Sequence, residues 1–278
     1  MTPRYRFADG TAVVTGAANG IGAALATGLA DRGSHLVLVD RDAERLAGVA
    51  ETIGTAAPGR RIATYVVDLA DAAAATRIGE TLREAHPDTT LLINNAGVAL
   101  GGRFDQVSAA QFDTVMAVNF QAVVTLTRAL LPVLIAHPGS HLVNVSSVFG
   151  IIAPAGQTAY CASKFAVRGF TESLRGELDP AGVGVTCVHP GGVRTGIARN
   201  AMVGTGLPAD QWSAGLDRFE RILTLDPAVA TARILQAIHR RRPRVLVGRD
   251  ATLLDALARA LPVTHRRLLA AAARRGSG

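Results

Sequence analysis

The feature that most constrains the fold of this chain is a repeated alternation between short apolar runs and longer amphipathic segments. The apolar runs are continuous rather than alternating in polarity, which is typical of strands buried on both faces of a sheet. Each segment between two runs is long enough for a helix that crosses from one parallel strand to the next. The pattern predicts an α/β fold, a doubly wound parallel sheet with about seven strands and helices on both faces.

The positions of the elements follow from the same pattern. The predicted strands span residues 12–15, 36–39, 62–67, 91–93, 141–145, 183–188 and 244–247, and the predicted helices span residues 21–32, 43–53, 72–85, 109–136, 158–178 and 227–241. A chain of 278 residues with 49% hydrophobic residues can bury one large core. We therefore expect a single domain over residues 7–250, followed by a basic tail over residues 251–278.

A glycine-rich turn, Thr15-Gly16-Ala17-Ala18-Asn19-Gly20-Ile21-Gly22, joins the first predicted strand to the first predicted helix. Its glycines let the backbone pass close to a pyrophosphate at the positive end of a helix. The spacing is G-x-x-x-G-x-G, and the turn lacks the Lys and Ser/Thr of a P-loop, which argues against a nucleoside triphosphate. The candidate cofactor contacts in this turn are Gly16, Asn19, Gly20, Ile21 and Gly22.

An acidic residue, Asp40, ends the second predicted strand eighteen residues after Gly22. A carboxylate there can accept hydrogen bonds from both hydroxyls of an adenosine ribose and would repel a 2′-phosphate, which favours NAD over NADP. Arg41 follows immediately, and its guanidinium could pair with that phosphate or stack on the adenine, so NADP is the alternative cofactor. A further alternative is that Asp40 only caps the next helix.

A tyrosine and a lysine four residues apart, Tyr160 and Lys164, form the candidate acid/base pair. In a helix these positions share one face. A phenol, with a pKa of roughly 10, is a poor acid or base at neutral pH, and a nearby ammonium lowers that pKa. Lys164 is the only lysine among 29 basic residues, which supports a special role for it. The plainer explanation is a lysine on a solvated helix face.

Other motifs accompany the glycine turn and the Tyr-x-x-x-Lys pair. They are Asp68 after the third predicted strand, Asn94-Asn95-Ala96-Gly97 after the fourth, Asn119, Ser147 and Pro190-Gly191-Gly192-Val193-Arg194-Thr195. In their order and spacing, these motifs resemble the short-chain dehydrogenase/reductase (SDR) family over about residues 7–250. The resemblance implies a Rossmann-like, dinucleotide-binding catalytic domain and an NAD(P)-dependent oxidoreductase.

The resemblance implies four catalytic residues. Tyr160 would exchange a proton with the substrate oxygen, and Lys164 would lower the pKa of Tyr160 and hold the nicotinamide ribose. Ser147 would hydrogen-bond the substrate oxygen, with Ser146 as the rival serine. Asn119 would hold a water that connects Lys164 to solvent. The alternative for Asn119 is an interior side chain that satisfies the backbone at a helix kink.

The resemblance also implies cofactor contacts beyond the glycine turn and residues 40 and 41. For two of these residues a structural role is the alternative, because Asn95 can tie neighbouring strands together and Asp68 can cap a helix. No metal ligands are expected. The further cofactor candidates are Asp68, Leu69, Asn95, Ala96, Gly97, Tyr160, Lys164, Pro190, Gly191, Val193 and Thr195.

The segments expected to line the substrate pocket are mostly apolar or small. They are residues 97–104, residues 148–157 and a substrate loop over about residues 190–215. Their composition predicts a hydrophobic secondary alcohol or ketone as the substrate. Arg194 and Arg199 could instead meet an anionic group, although isolated loop arginines are usually solvated. We expect His189 to be a packed residue at a strand end rather than a catalyst.

The net charge of +7 is concentrated near the C-terminus. Ten arginines and two aspartates follow His239, which gives this part of the chain +8 and residues 1–239 a charge of −1. Leucines at helical spacing make the tail a basic amphipathic segment, which we expect to pack on its own domain or another subunit, with contact to an anionic membrane surface as the alternative. The tail lacks interleaved aromatic residues, so no nucleic-acid partner is expected.

Two cysteines, Cys161 and Cys187, lie inside regular patterns, which favours a reducing compartment. Charged residues interrupt the N-terminal segment, which does not resemble a signal peptide, so we expect a cytoplasmic protein. The SDR resemblance implies a homodimer or homotetramer that acts on a small-molecule substrate. The alternatives to an oxidoreductase are a non-catalytic NAD(P)-sensing or basic-tail interaction protein on the same fold, and an epimerase or dehydratase.

Overall fold

The computed structural model describes residues 4–268. Within this range the strands are β1 Thr11–Thr15, β2 His35–Asp40, β3 Ile62–Val66, β4 Thr89–Asn94, β5 Leu100–Gly101, β6 His141–Val145, β7 Gly184–Pro190, β8 Met202–Val203 and β9 Arg244–Val247. The α-helices are α1 Gly20–Ala30, α2 Ala43–Ala56, α3 Ala72–Ala85, α4 Ala109–Met116, α5 Ala122–Ala136, α6 Thr158–Leu178, α7 Ala209–Ile222, α8 Pro227–His239 and α9 Arg249–Ala260.

Seven strands form one sheet in the order β3-β2-β1-β4-β6-β7-β9, and all neighbouring pairs in it are parallel. The strand order reverses between β1 and β4. In a doubly wound sheet, the carboxyl ends of the strands on either side of such a reversal border the crevice in which ligands bind. The predicted fold class is confirmed, and the topology places the site beside the ends of β1 and β4.

Hydrophobic cores lie on both faces of the sheet, because successive strand residues point in opposite directions. Val14 belongs to the core that packs against α1, α2 and α8, whereas its neighbour Val13 belongs to the core that packs against α3, α5 and α6. Both valines are fully buried. This burial on two sides explains why the strands read as continuous apolar runs.

The predicted helix over residues 109–136 is interrupted. A π-helical segment, Ala117–Gln121, separates α4 from α5. By length and composition alone, the run Ala109–Ala136 is apolar enough to cross a membrane. However, α5 packs against α3 and β4 in the core of the domain. This packing explains why the run is apolar.

Helix α7 was not predicted, and α9 was expected only as a tail segment with leucines at helical spacing. The first half of α7 lies in the predicted substrate loop, and none of its side chains is buried. Helix α9 begins at Arg249, so the predicted domain boundary after residue 250 falls within its first turn. A two-stranded sheet of β5 and β8 was also missed, because each strand has only two residues.

Helix α9 packs on the domain itself. Ala251 is fully buried and Leu254 is partly buried, in a cluster with Ile151 and Ile152. On the next turn, the Asp255 carboxylate accepts a hydrogen bond from Arg244 of β9 at 2.6 Å. The start of the predicted tail is therefore part of the folded domain, whereas Arg274 and Arg275 lie outside the described residues.

Candidate active site

A cavity of about 680 Å³ lies at the carboxyl ends of the strands. Two of the predicted site residues do not line it, Gly22 and Asn119. The predicted site residues that line the cavity are Gly16, Asn19, Gly20, Ile21, Asp40, Arg41, Asp68, Leu69, Asn95, Ala96, Gly97, Ser147, Tyr160, Lys164, Pro190, Gly191, Val193 and Thr195. The fold therefore brings together residues from seven separate parts of the sequence.

The backbone of the glycine turn adopts a conformation and makes close contacts that residues with a Cβ atom could not. Gly16 and Gly20 have φ angles of +67° and +57°, in the left-handed region that favours glycine. A Cβ atom on Gly16 would lie 2.8 Å from Ala96 Cα, and one on Gly22 would overlap the Gly16 carbonyl oxygen. Gly22 therefore acts beneath the cavity, where it lets α1 pack closely against the turn.

The N-terminus of α1 is suited to a pyrophosphate. The first amides of a helix lack intrahelical partners and carry partial positive charge. No side chain caps α1 at Asn19, and no acidic residue lies in its first turn. Thr195 faces the same point, because its Cγ2 atom would lie 3.1 Å from a Cβ atom on Gly20. The turn and Thr195 thus frame an anion-binding position.

Asp40 lies at the opposite end of the glycine turn. Its Oδ2 atom accepts a hydrogen bond from Ala18 N at 2.9 Å, and its Oδ1 atom accepts one from Asp42 N at 3.1 Å. The cap of α2 is Asp42, whose side chain accepts from Arg45 N, so the helix-cap alternative for Asp40 is wrong. Each Asp40 oxygen retains a lone pair for a ribose hydroxyl. The neighbouring Arg41 is exposed and also lines the cavity.

Asn95 ties the ends of two central strands together. Its Nδ2 atom donates to the Thr15 carbonyl at 3.0 Å and to the Gly16 carbonyl at 3.2 Å, while the Asn95 amide donates to Thr15 Oγ1. The structural alternative fits this side chain. Asp68 accepts from Ala70 N at 2.9 Å, and the cap of α3 is Asp71. Asp68 therefore holds a turn at the cavity wall.

Tyr160 and Lys164 lie one turn apart on α6, are both buried, and line the same cavity as the glycine turn. Lys164 Nζ lies 5.7 Å from the centre of the Tyr160 ring and donates to the Val145 carbonyl at 3.0 Å. Ser147 hydrogen-bonds the Tyr160 side chain. Ser146, the rival serine, donates instead to the Lys164 carbonyl at 2.8 Å.

Burial controls the protonation of this pair in the protein alone. It raises the pKa of Tyr160 to about 12, although the hydrogen bond with Ser147 lowers it. It also lowers the pKa of Lys164 to about 8. The loss of hydration dominates both groups in the protein alone, and the expected lowering of the Tyr160 pKa by Lys164 stays a prediction.

Asn119 lies in the π-helical segment and is fully buried. Its Nδ2 atom donates to the Val98 carbonyl and to Ser163 Oγ, both at 3.0 Å, and its Oδ1 atom accepts from Val98 N at 2.8 Å. A Cβ atom on Gly97 would lie 3.3 Å from both Asn119 Oδ1 and Lys164 Nζ. Asn119 thus fixes the Val98 backbone beside Lys164, rather than the helix backbone that the structural alternative names, and the water-holding role stays a prediction.

His189 is buried at the end of β7. Its Nδ1 atom lies 3.0 Å from the Ser147 carbonyl, which makes it a donor to that oxygen. Burial lowers the pKa of His189 to about 4, so the ring is neutral at physiological pH. His189 therefore packs against the backbone of Ser147, as its position at a strand end predicts.

The part of the cavity beside α7, which we call the apolar chamber, is lined mainly by apolar side chains, although Gln211 and Arg218 also line it. Phe149 packs edge-on against Tyr160, with ring centres 6.1 Å apart, and its ring centre lies 6.4 Å from that of Phe219. The Trp212 ring occupies the space where a Cβ atom on Gly101 would lie. The apolar residues that α7 turns towards the chamber recur every three or four positions: Trp212, Leu216, Phe219 and Ile222.

The two loop arginines are engaged elsewhere. Arg194 pairs with Asp226 at 3.3 Å and Arg199 with Glu220 at 2.7 Å, and neither arginine lines the cavity. The helical spacing of Trp212 and its apolar neighbours was a readable signal for α7. Asp250 of α9 also lines the cavity, and only the tertiary structure reveals this.

The fold and the site together define a class of protein. One cavity is lined by the glycine-rich turn, by Asp40 at the end of β2 and by the buried pair of Tyr160 and Lys164. An oxidoreductase that uses a nicotinamide cofactor requires such a combination of dinucleotide contacts and acid/base groups. Residues 10–204 match the model of the short chain dehydrogenase family. A relative from Mycobacterium tuberculosis, which is named as the oxidoreductase SadH, is 39% identical to this chain over 268 residues, which cover 95% of each protein. The chain belongs to the short-chain dehydrogenase/reductase family.

Solved structures of this family are similar over nearly the whole chain. A member from Burkholderia phymatum in complex with NAD has a TM-score of 0.85 at 30% identity, covering 94% of this chain and 97% of that one. A short-chain dehydrogenase from Sphingobium yanoikuyae in complex with NADPH has a TM-score of 0.77 at 30% identity, covering 90% and 93%. A bulky-bulky ketone specific alcohol dehydrogenase from Comamonas testosteroni has a TM-score of 0.72 at 27% identity, covering 91% and 93%.

These similarities confirm the predicted enzyme class. The protein is an NAD(P)-dependent SDR oxidoreductase, in a family that acts on small-molecule alcohols and ketones. They favour an enzyme over a non-catalytic cofactor sensor. NAD is supported as the cofactor, with NADP as the alternative, because similar structures contain one or the other.

The buried charge of Lys164 predicts a gain in stability when it is removed. We expect Lys164→Met to raise the free energy of unfolding at pH 7 by about 1–2 kcal/mol, because the desolvation cost of the ammonium disappears and the lost bond to Val145 offsets only part of this gain. The same variant should lose turnover. Urea unfolding measures the stability, and Arg168→Met, one turn along α6 and more exposed, is the matched control.

The pH dependence of this gain tests its cause. Lys164 releases its proton near pH 8 in the folded protein but near its ordinary pKa of 10.5 when unfolded. Unfolding therefore takes up a proton between these values, so wild-type stability gains from rising pH there. The advantage of Lys164→Met should shrink between pH 7 and pH 9.5. An advantage that is absent at pH 7, or that grows with pH, would contradict burial as the cause.

Proposed function

We propose that this enzyme transfers a hydride between NAD and a hydrophobic secondary alcohol or ketone, with Tyr160 as the general acid/base. One observation carries the proposal: the buried Tyr160 hydroxyl lies where the dinucleotide end of the cavity meets the apolar chamber. A substrate oxygen at this junction would reach Tyr160 and Ser147 together. The rest of the substrate would then lie against Phe149 and α7.

The nicotinamide supplies the hydride chemistry when the cofactor is bound, so the share of the protein is binding, orientation and proton transfer. During reduction, the Tyr160 hydroxyl donates its proton to the carbonyl oxygen, and during oxidation it accepts the proton of the alcohol. Ser147 donates a hydrogen bond to the same oxygen. Lys164 holds a ribose of the cofactor. Asn119 holds a water that connects Lys164 to solvent.

NAD is the cofactor we propose for the cell. Support comes from Asp40, whose half-buried carboxylate faces the end of the cavity where the adenosine ribose would lie. A 2′-phosphate at that position would meet this negative charge at short range. Arg41 is the residue through which NADP would bind instead, since its exposed guanidinium lines the same end.

The apolar chamber supports a substrate with a bulky apolar group. Its walls come from two elements, the segment after β6 with Val148 and Phe149, and α7 with Trp212 and Phe219. Burial of apolar surface there stabilises binding by roughly 25 cal/mol for each Å². The structural similarity to a bulky-bulky ketone specific alcohol dehydrogenase is consistent with this substrate class.

We also propose a cytoplasmic homo-oligomer. Cys161 and Cys187 are buried free thiols within the described chain, as suits a reducing compartment. Phe165 on α6 and Ile135 on α5 expose 40% and 43% of their surface, so a second subunit could cover both helices. Sedimentation analysis measures the subunit number directly, and a monomer at micromolar concentration would contradict the oligomer.

The role of Tyr160 predicts a separation of turnover from cofactor binding. Tyr160→Phe removes the hydroxyl and should lower kcat by about a hundredfold to ten-thousandfold, the usual contribution of general acid/base catalysis. The dissociation constant for NADH should change by less than about threefold. The matched control is Tyr65→Phe, which loses a hydroxyl bonded to His86 away from the cavity. Near-normal turnover of Tyr160→Phe would remove the proposed mechanism.

The substrate class is tested by a panel of alcohols and ketones of increasing size, each assayed with NAD(H) and NADP(H) by absorbance of the reduced nicotinamide. We expect activity with hydrophobic secondary alcohols and ketones. Trp212→Ala should raise KM about tenfold for bulky members and less than about twofold for small ones, because it removes apolar contact in the chamber. Phe104→Ala, an exposed aromatic outside the cavity, is the control. An equal change for all sizes would contradict this substrate position.

A further inference from the structure

We propose that Asp250 is a positioning residue for the nicotinamide end of the cofactor. Its carboxylate holds the segment Pro190–Thr195, which we call the strand-end loop, in the shape that receives the nicotinamide. The inference rests on the proposed function and deepens it. It also assigns a role at the active site to the start of α9, a helix that crosses the predicted boundary between the domain and the tail.

The contact between Asp250 and the strand-end loop is direct. Gly192 N donates a hydrogen bond to Asp250 Oδ2 at 2.6 Å. Two glycines make room for the carboxylate, because a Cβ atom on Gly191 would overlap both of its oxygens and one on Gly248 would overlap Oδ1. Gly248 also has a φ angle of +111°, which few other residues adopt. These glycines therefore leave the exposed Asp250 carboxylate free to approach the loop backbone.

The other backbone amides of the strand-end loop that form hydrogen bonds donate to backbone carbonyls. Gly191 N donates to the Val247 carbonyl at 2.8 Å, and Arg194 N donates to the Leu225 carbonyl at 2.8 Å. Leu225 N in turn donates to the Gly192 carbonyl at 2.9 Å. Within residues 4–268, Asp250 supplies the only side chain that hydrogen-bonds a backbone amide of this loop. Its substitution can therefore loosen the loop without removing the strand pairing around it.

The position of the strand-end loop points to the nicotinamide. At its far end, Thr195 faces the anion-binding N-terminus of α1. At its near end, the loop follows His189, which contacts the Ser147 carbonyl. Gly191 and Val193 therefore lie between the place for the pyrophosphate and the catalytic side chains. A nicotinamide that reaches from one to the other must pass this part of the loop.

The experiment compares two ligands that differ in the nicotinamide. Isothermal titration calorimetry measures the dissociation constants of NAD and of ADP-ribose, which lacks the nicotinamide ring. We expect Asp250→Ala to weaken NAD about tenfold, as expected for the loss of one hydrogen bond to a charged group, and to leave ADP-ribose within about twofold. Asp250→Asn keeps an acceptor oxygen and should retain most of the NAD affinity. Asp210→Ala, an acidic residue in the first turn of α7, is the control.

A second pair of variants tests the contact from the side of the loop. Gly191→Ala places a methyl group against the carboxylate and should weaken NAD in the wild-type background. In the Asp250→Ala background the same change should have little further effect, because the two substitutions remove one interaction. Thermal unfolding shows that each variant is folded.

The outcomes separate this inference from the proposed function. Equal weakening of NAD and ADP-ribose by Asp250→Ala, or an unchanged NAD affinity, overturns the positioning role while the enzyme class stands. Additive effects of Gly191→Ala and Asp250→Ala also overturn it. Wild-type protein that binds neither ligand contradicts the proposed function and the inference together.

Discussion

The buried ammonium of Lys164 is the interaction on which the site depends. It lines the cavity, with one backbone partner, the Val145 carbonyl, and lies beside the Tyr160 ring. A buried charge is costly unless it is paired. The ammonium nevertheless lies at the junction between the dinucleotide end of the cavity and the apolar chamber. Gly97 leaves room for it, because a Cβ atom at this position would lie 3.3 Å from Lys164 Nζ. This arrangement suits the proposed contact between Lys164 and a ribose of the dinucleotide.

The sheet holds α6 in the position that the pair requires. A chain of buried amides and hydroxyls runs from Asn94 of β4 through Asn144 of β6 to Thr171 of α6, with hydrogen bonds of 2.9 and 3.0 Å. Near the other end of the helix, Ser146 bonds the Lys164 carbonyl. Polar contacts of this kind fix one arrangement of a helix on a sheet, whereas apolar packing alone tolerates small slides. Tyr160 is thus positioned by the polar contacts that α6 makes with the strands and with Ser146.

Sequence patterns predicted the features that depend on neighbouring residues alone, which are the buried strands and the glycine turn. The continuous apolar strands and the glycine turn follow from burial and backbone sterics, so the doubly wound parallel sheet and the dinucleotide end of the cavity could be expected. The π-helical break at Asn119 could not, since the apolar pattern runs through it unchanged. Helix α7 packs over a cavity rather than a core, and the bond between Asp250 and Gly192 joins residues 58 positions apart. The raised pKa of Tyr160 depends on burial, which a four-residue spacing does not reveal.

The most direct test of the account is the ionisation of Tyr160 in the cofactor-free enzyme. Carbon-13 labelling of the three tyrosines, with Tyr160→Phe to assign the signal, allows an NMR titration from pH 7 to the onset of alkaline unfolding. Because burial raises the pKa of Tyr160 to about 12, its signal should remain that of the protonated phenol at pH 10.5. A Tyr160 that ionises below pH 10 without cofactor would contradict the claim that burial governs this pair.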